Sequence, residues 1–134
     1  MAKSANQKLA LTFGVIYLLV GIFGVAATDN ATLFGHEGGL LFGLFEVNIF
    51  ANVVHTIIGL GLIIASSSVG GARQVNAVLG VILLVIGVIG FFIVDSEANI
   101  LAANVATDIL HVATAVLLLA TAFGADRPAA KAVA

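Results

Sequence analysis

The chain has 134 residues, 61% of them hydrophobic and only 9% charged, with a mean hydropathy of +1.21; a soluble domain carries about 25% charged residues, so this is the composition of an integral membrane protein. Five Lys and Arg against seven Asp and Glu leave a net charge of -2, which excludes a phosphate-neutralising surface and with it nucleic-acid binding. The lack of cysteine excludes disulfides, Cys-ligated zinc, iron–sulfur clusters and thiol catalysis.

A helix needs roughly 20 apolar residues to cross about 30 Å of hydrocarbon. Four runs come to that length, at 9–27, 48–65, 75–94 and 100–123. None shows the inside/outside alternation of a barrel strand, so the expected fold is all-α: a four-helix bundle in the membrane, as a single domain. The first run follows Lys3 and Lys8 and ends in Val25, Ala26 and Ala27, as a signal peptide would, but its 19 residues exceed the roughly 7 to 15 of a signal-peptide core. The connection 28–47 is unusual. Asp29, His36 and Glu37 belong in water, whereas 38–45 (GGLLFGLF) is too apolar for it. A short interfacial or re-entrant segment is expected there, with Phe34, Phe42 and Phe45 at headgroup level, and His36 beside Glu37 reads as an exposed pair. Ser66 to Ser68 with Gly70 and Gly71 form a Ser/Gly turn rather than a phosphate cradle. Residues 125–134, with Asp126, Arg127, Pro128 and Lys131, read as a short disordered tail.

Lys and Arg are retained on the cytoplasmic side of short loops. Lys3, Lys8, Arg73, Arg127 and Lys131 all fall at one end of a four-span chain, and Asp29, Glu37, Glu46, Asp95 and Glu97 at the other. An N-in, C-in topology in a cytoplasmic membrane satisfies them all.

The chain also repeats itself. Residues 12–24 (TFGVIYLLVGIFG) align without gaps to 78–90 (VLGVILLVIGVIG), pairing Gly14 with Gly80, Gly21 with Gly87 and Gly24 with Gly90. Asn48, Asn52 and His55 match Asn104, Asp108 and His111 at identical spacing. Two tandem helical hairpins, related by an axis along the membrane normal, account for both matches. The glycines lie within roughly 80° of helical arc, a small-residue face suited to close packing in lipid. Approach to a flat cofactor or a lipid tail would ask for the same face.

Amide, carboxyl and imidazole groups within a span are costly and usually face the bundle interior. Positions i, i+4 and i+7 fall within about 60° of arc, so each triplet forms a stripe, and two-fold pseudosymmetry would bring the stripes together. Three readings compete. The six side chains satisfy one another as a structural staple; His55 and His111 hold b-type haem or a divalent metal, with Asp108 orienting an imidazole; or Asp108 and the imidazoles form a proton or ion pathway. No nucleophile stands beside either histidine, which argues against an enzyme, and no cofactor is favoured.

The stretch 40–64 (LLFGLFEVNIFANVVHTIIGLGLII), the glycines at Gly14, Gly21 and Gly24, and Asn104, Asp108 and His111 resemble an uncharacterised domain-of-unknown-function family of small four-span bacterial membrane proteins, common in actinobacteria and cyanobacteria. The resemblance runs from Leu9 to Phe123, and Asn48, Asn52, His55, Asp108 and His111 match its motif, with Ala51 standing where a histidine is common. It implies the topology and marks the stripe as a signature, and brings no established activity. The expected role is lateral assembly in a bacterial cytoplasmic membrane, as a homo-oligomer or with other membrane subunits.

Overall fold

The computed structural model describes residues 2–28 and 33–126, so Asp29, Arg127, Pro128 and Lys131 lie outside the described residues. It contains four helices, α1 (Ala5–Ala27), α2 (Ile49–Ala65), α3 (Val69–Ile93) and α4 (Val105–Gly124), and one small hairpin of β1 (Gly39–Leu41) and β2 (Phe45–Val47) between α1 and α2. Three helices, α1, α3 and α4, are long and apolar enough to cross a membrane; α2, at 17 residues, is shorter.

Capping explains why the helices depart from the apolar runs. Ser4 and Gln7 form a reciprocal capping box, with Gln7 N–H donating to Ser4 Oγ at 3.3 Å and Ser4 N–H to Gln7 Oε1 at 3.0 Å, so α1 starts before the apolar run does. Ser68 accepts the Gly71 N–H at 3.1 Å and starts α3 at Val69, well ahead of residue 75. The fourth run shortens instead. Residues 100–104 are not helical, because Asn99 ties that segment into a turn: its side chain donates to Val94 O at 2.8 Å and Ala103 O at 2.9 Å and accepts from Ala103 N–H at 3.0 Å.

The described part of the connection between α1 and α2 forms a hairpin, where the sequence predicts a short interfacial or re-entrant segment. Leu41 pairs with Phe45 and Gly39 with Val47, and the turn closes with Leu44 N–H donating to Leu41 O at 3.1 Å. Its central residues Phe42 and Gly43 have φ of +55° and +69°, the positive pair that matches the twist of a hairpin. Glycine takes that conformation without strain and Phe42 does not. Phe42 is 75% exposed at the tip, whereas Leu41 and Val47 turn inward onto Ala51. His36 faces Glu97 across the connections at 3.7 Å rather than forming a local pair with Glu37; at this exposure the contact contributes little.

The helices pack chiefly as α1 on α2 and α3 on α4, with lighter contacts between these two hairpins. Glycine makes the close approach possible. A Cβ on Gly59 would lie 2.5 Å from Leu18 N and 2.8 Å from Leu18 Cα, and one on Gly14 would lie 2.9 Å from Ile63 N. In α3 and α4 the equivalent backbones lie farther apart, since a Cβ on Gly80 would lie 3.3 Å from Leu119 N. Tyr17, Leu83, Ala115 and Leu118 form the central apolar cluster.

A polar clamp closes the end opposite the hairpin. Asn76 Nδ2 donates to Asn6 O at 3.1 Å and Asn6 Oδ1 at 3.0 Å, Asn6 Nδ2 reaches Thr121 O at 3.2 Å, and Arg73 Nε reaches Ala122 O at 2.8 Å. The first residues after α4 are engaged in it as well. Asp126 accepts the Asn6 backbone N–H at 2.9 Å and Asn6 Nδ2 at 3.0 Å, capping α1 from the far end of the sequence.

Candidate functional site

The two matched triplets descend from the hairpin end of α2 and α4, and their three members do three different things. Asn48 and Asn104 are N-caps, accepting the Ala51 and Thr107 N–H groups at 2.8 and 3.0 Å. Their amides reach across: Asn48 Nδ2 donates to Ile100 O at 2.8 Å and Gly35 O at 3.1 Å, and Asn104 Nδ2 to Leu44 O at 2.9 Å. Each cap therefore holds the connection of the other helical hairpin.

One turn deeper, Asn52 and Asp108 turn back into their own hairpins. A Cβ on Gly24 would overlap the Asn52 carboxamide, and one on Gly90 would overlap the Asp108 carboxylate. The last glycine of each repeated stripe thus leaves the space that the second polar residue fills. Both side chains are buried, and none of their four polar atoms has a hydrogen-bond partner among the described residues. Each borders a groove in the exposed apolar surface of the helices: one of about 440 Å³ between α1 and α2, walled by Val25, Val53 and Ile57, and one of about 380 Å³ beside α3, walled by Val85, Ile89 and Ile100.

Only the third members meet across the two hairpins. The His55 and His111 rings lie 6.1 Å apart, with planes inclined by 50°. Tyr17 of α1 stands 5.5 Å from His55, and its buried hydroxyl has no hydrogen-bond partner among the described residues. Both imidazoles are buried, and both Nδ1 atoms lack a partner among the described residues. They line a cavity of about 80 Å³ whose walls come from α1 (Phe13, Ile16, Val20) and α4 (Thr107, Leu110), with Phe45 and Val47 of β2 as its roof.

The six polar residues are therefore two caps, two glycine-packed side chains and one histidine pair. Among the described residues no hydrogen bond joins one triplet to the other, or Asp108 to His111. The donor set does not suit zinc, since two imidazoles fall short of the three or four protein ligands such a site uses, and no group of three or more His, Cys, Asp or Glu gathers among the described residues. Nor does it suit haem. The ring separation is of the right order for opposed axial ligands, but a porphyrin needs a slot between them far larger than about 80 Å³.

Sequence reasoning did not find Tyr17, Asn6, Asn76 or Asn99. Tyr17 lies inside an apolar run, where its signal was being the only tyrosine in the chain. Asn6 and Asn76 sit at or before the starts of their runs and are not matched in the repeat.

No curated protein and no solved structure matches the chain. A family model matches residues 7–124, nearly the whole described helical part, and the chain belongs to that family, the domain of unknown function DUF4383.

Proposed function

We propose that the protein acts through the plane of the membrane, assembling laterally as a homo-oligomer or as an accessory subunit of a larger membrane complex. In this reading it sits in a bacterial cytoplasmic membrane with both termini inside. Support for the orientation comes from Lys3 and Arg73 at the clamp end and Glu37, Glu46, Asp95 and Glu97 at the hairpin end.

The observation that carries the reading is the pair of grooves ending on Asn52 and Asp108. Each unpartnered polar group in a low-dielectric interior costs several kcal/mol, and lipid tails in the bordering grooves offer it nothing. A helix from a neighbouring subunit can fill a groove of about 400 Å³ and supply Ser, Thr, Asn or backbone groups to the polar side chain, as helices associating in lipid do. Native mass spectrometry after gentle extraction tests this. Multiples of 13.6 kDa, or that mass with other chains, are expected, and Val53→Trp with Ile89→Trp, filling both grooves, should release the monomer. A bare monomer under the gentlest extraction refutes the reading.

The approach of His55 to His111 favours a second reading, in which the pair binds a ligand. The volume and the donor set argue against haem and zinc and leave a small uncharged molecule.

A further inference from the structure

We propose that the β1–β2 hairpin is a lipid-binding surface, seated in the headgroup layer with Leu40, Phe42 and Leu44 reaching into the top of the hydrocarbon, and that it completes a crossing that α2 is too short to make. The proposal rests on the membrane placement in the reading above and not on lateral assembly.

Two helices serve as rulers for the depth of the hairpin. The clamp end of α2 is fixed by the Ser66 carbonyl, which accepts from Lys3 Nζ at 3.2 Å and from Gln7 Nε2 at 3.0 Å. From Gln7 to Ala27, α1 rises about 30 Å at about 1.5 Å per residue, which is the thickness of the hydrocarbon. Ala27 therefore marks the far boundary. β1 lies at that level, because a Cβ on Gly39 would overlap the Ala27 carbonyl oxygen. α2, with 17 residues, rises only about 25 Å. It ends about 5 Å short of the boundary, and the hairpin that leads into Asn48 makes up the difference.

At that depth the backbone and the side chains of the hairpin ask for different surroundings. Two strands leave two outer edges, and their N–H and C=O groups cannot be left in hydrocarbon. The side chains ask for the opposite. Leu40, Phe42 and Leu44 are each more than half exposed, and no polar residue falls between them. The headgroup layer, with water above and acyl chains below, supplies both. The turn itself points the same way. Asn or Gly would take the φ of +55° at Phe42 with little strain and would suit a tip in water, where an exposed aromatic gains nothing. Phe45 does not share this surface, since it packs inward on the cluster of Leu41, Val47 and Ala51.

The chain has no cysteine, so single-cysteine variants each take one nitroxide label. In phosphatidylcholine nanodiscs, power-saturation electron paramagnetic resonance compares collisions with oxygen, which concentrates in hydrocarbon, and with nickel–ethylenediaminediacetate, which stays in water. Val116→Cys, exposed in the middle of α4, and Glu97→Cys, exposed at the hairpin end, set the two extremes. Labels at Leu40→Cys, Phe42→Cys and Leu44→Cys should fall between them, with nickel collision rates about half that at Glu97→Cys or less, as just below the headgroups. Adding Phe42→Asp should raise the nickel rate at Leu44→Cys, because the charge draws the tip into water. Rates that match either extreme, or low rates with both reagents as under a covering protein, overturn the proposal. Nickel access at Val116→Cys would instead overturn the membrane placement on which it rests.

Discussion

Gly59 and Gly61 lie two residues apart on α2 and should respond to alanine in opposite directions. A Cβ on Gly61 meets nothing within 4 Å, so Gly61→Ala gains only the helix preference of alanine over glycine, about 0.5–1 kcal/mol. At Gly59 the new methyl would lie 2.5 Å from Leu18 N and 2.8 Å from Gly14 O. Both are backbone atoms, so no side chain can swing aside. Restoring ordinary contact means parting α1 and α2 by about 1 Å, and a gap of that size forfeits roughly a quarter to a half of the dispersion energy of each facing atom pair. Overpacking of this kind costs about 1–3 kcal/mol, which exceeds the gain in helix preference. Unfolding by SDS titration in mixed micelles, followed by far-UV circular dichroism and Tyr17 fluorescence, should place Gly59→Ala below the unaltered protein and Gly61→Ala slightly above it. Equal midpoints for the two variants would refute the backbone-to-backbone packing of α1 on α2.

Gly90→Ala should also destabilise, because its Cβ would overlap the Asp108 carboxylate, but here a side chain is in the way; Asp108→Ala in the same chain should restore at least half the loss in the same SDS titration, as two residues sharing one space are non-additive. Asp126 supplies a pH dependence. The Asn6 backbone N–H, foremost among several donors, holds its carboxyl down at about 2. A carboxyl depressed in the folded state stabilises above its ordinary value and loses that contribution as pH falls through the depressed one. The thermal midpoint should therefore fall between about pH 4 and pH 2, and Asp126→Asn should flatten that part of the profile.

The apolar runs located all four helices because hydrocarbon thickness dictates their length, and they misplaced the ends because ends are set by caps. Ser4 and Gln7 lie outside the first run, and Ser68 precedes a stretch containing Arg73 and Asn76 that looks too polar to belong to it. Conversely, 100–103 is apolar enough to extend the fourth run, yet Asn99 folds it into a turn in which Ala102 takes a φ of +51°. The outer hairpin left a weak trace: each strand has three residues, too few for alternation to register, and its turn places Phe42 where glycine or asparagine would have announced it. The clamp of Asn6, Asn76 and Asp126 joins residues 70 and 120 positions apart, and such pairings are invisible in a single sequence.

The repeat was legible as two separate patterns, a glycine stripe and a polar stripe, and its meaning lies in how they combine. Helical spacing placed Asn52 and Asp108 on the same faces as the histidines, which suggested six side chains converging on one axis. The side chains divide because each glycine stripe stops one turn short of the hairpin end, at Gly24 and at Gly90, and leaves a void the size of a carboxamide or carboxylate directly opposite. Asn52 and Asp108 fill those voids within their own hairpins, leaving the histidines alone at the junction. The matched patterns therefore give two like sites within the hairpins and one site between them. The within-hairpin sites differ by a single change, amide against carboxyl, and each keeps its polar atoms unpartnered among the described residues, beside an apolar groove. The junction holds what neither hairpin has alone: two imidazoles, with the tyrosine of the first hairpin against the threonines of the second. Chemistry specific to the whole chain belongs at that junction, between α1 and α4.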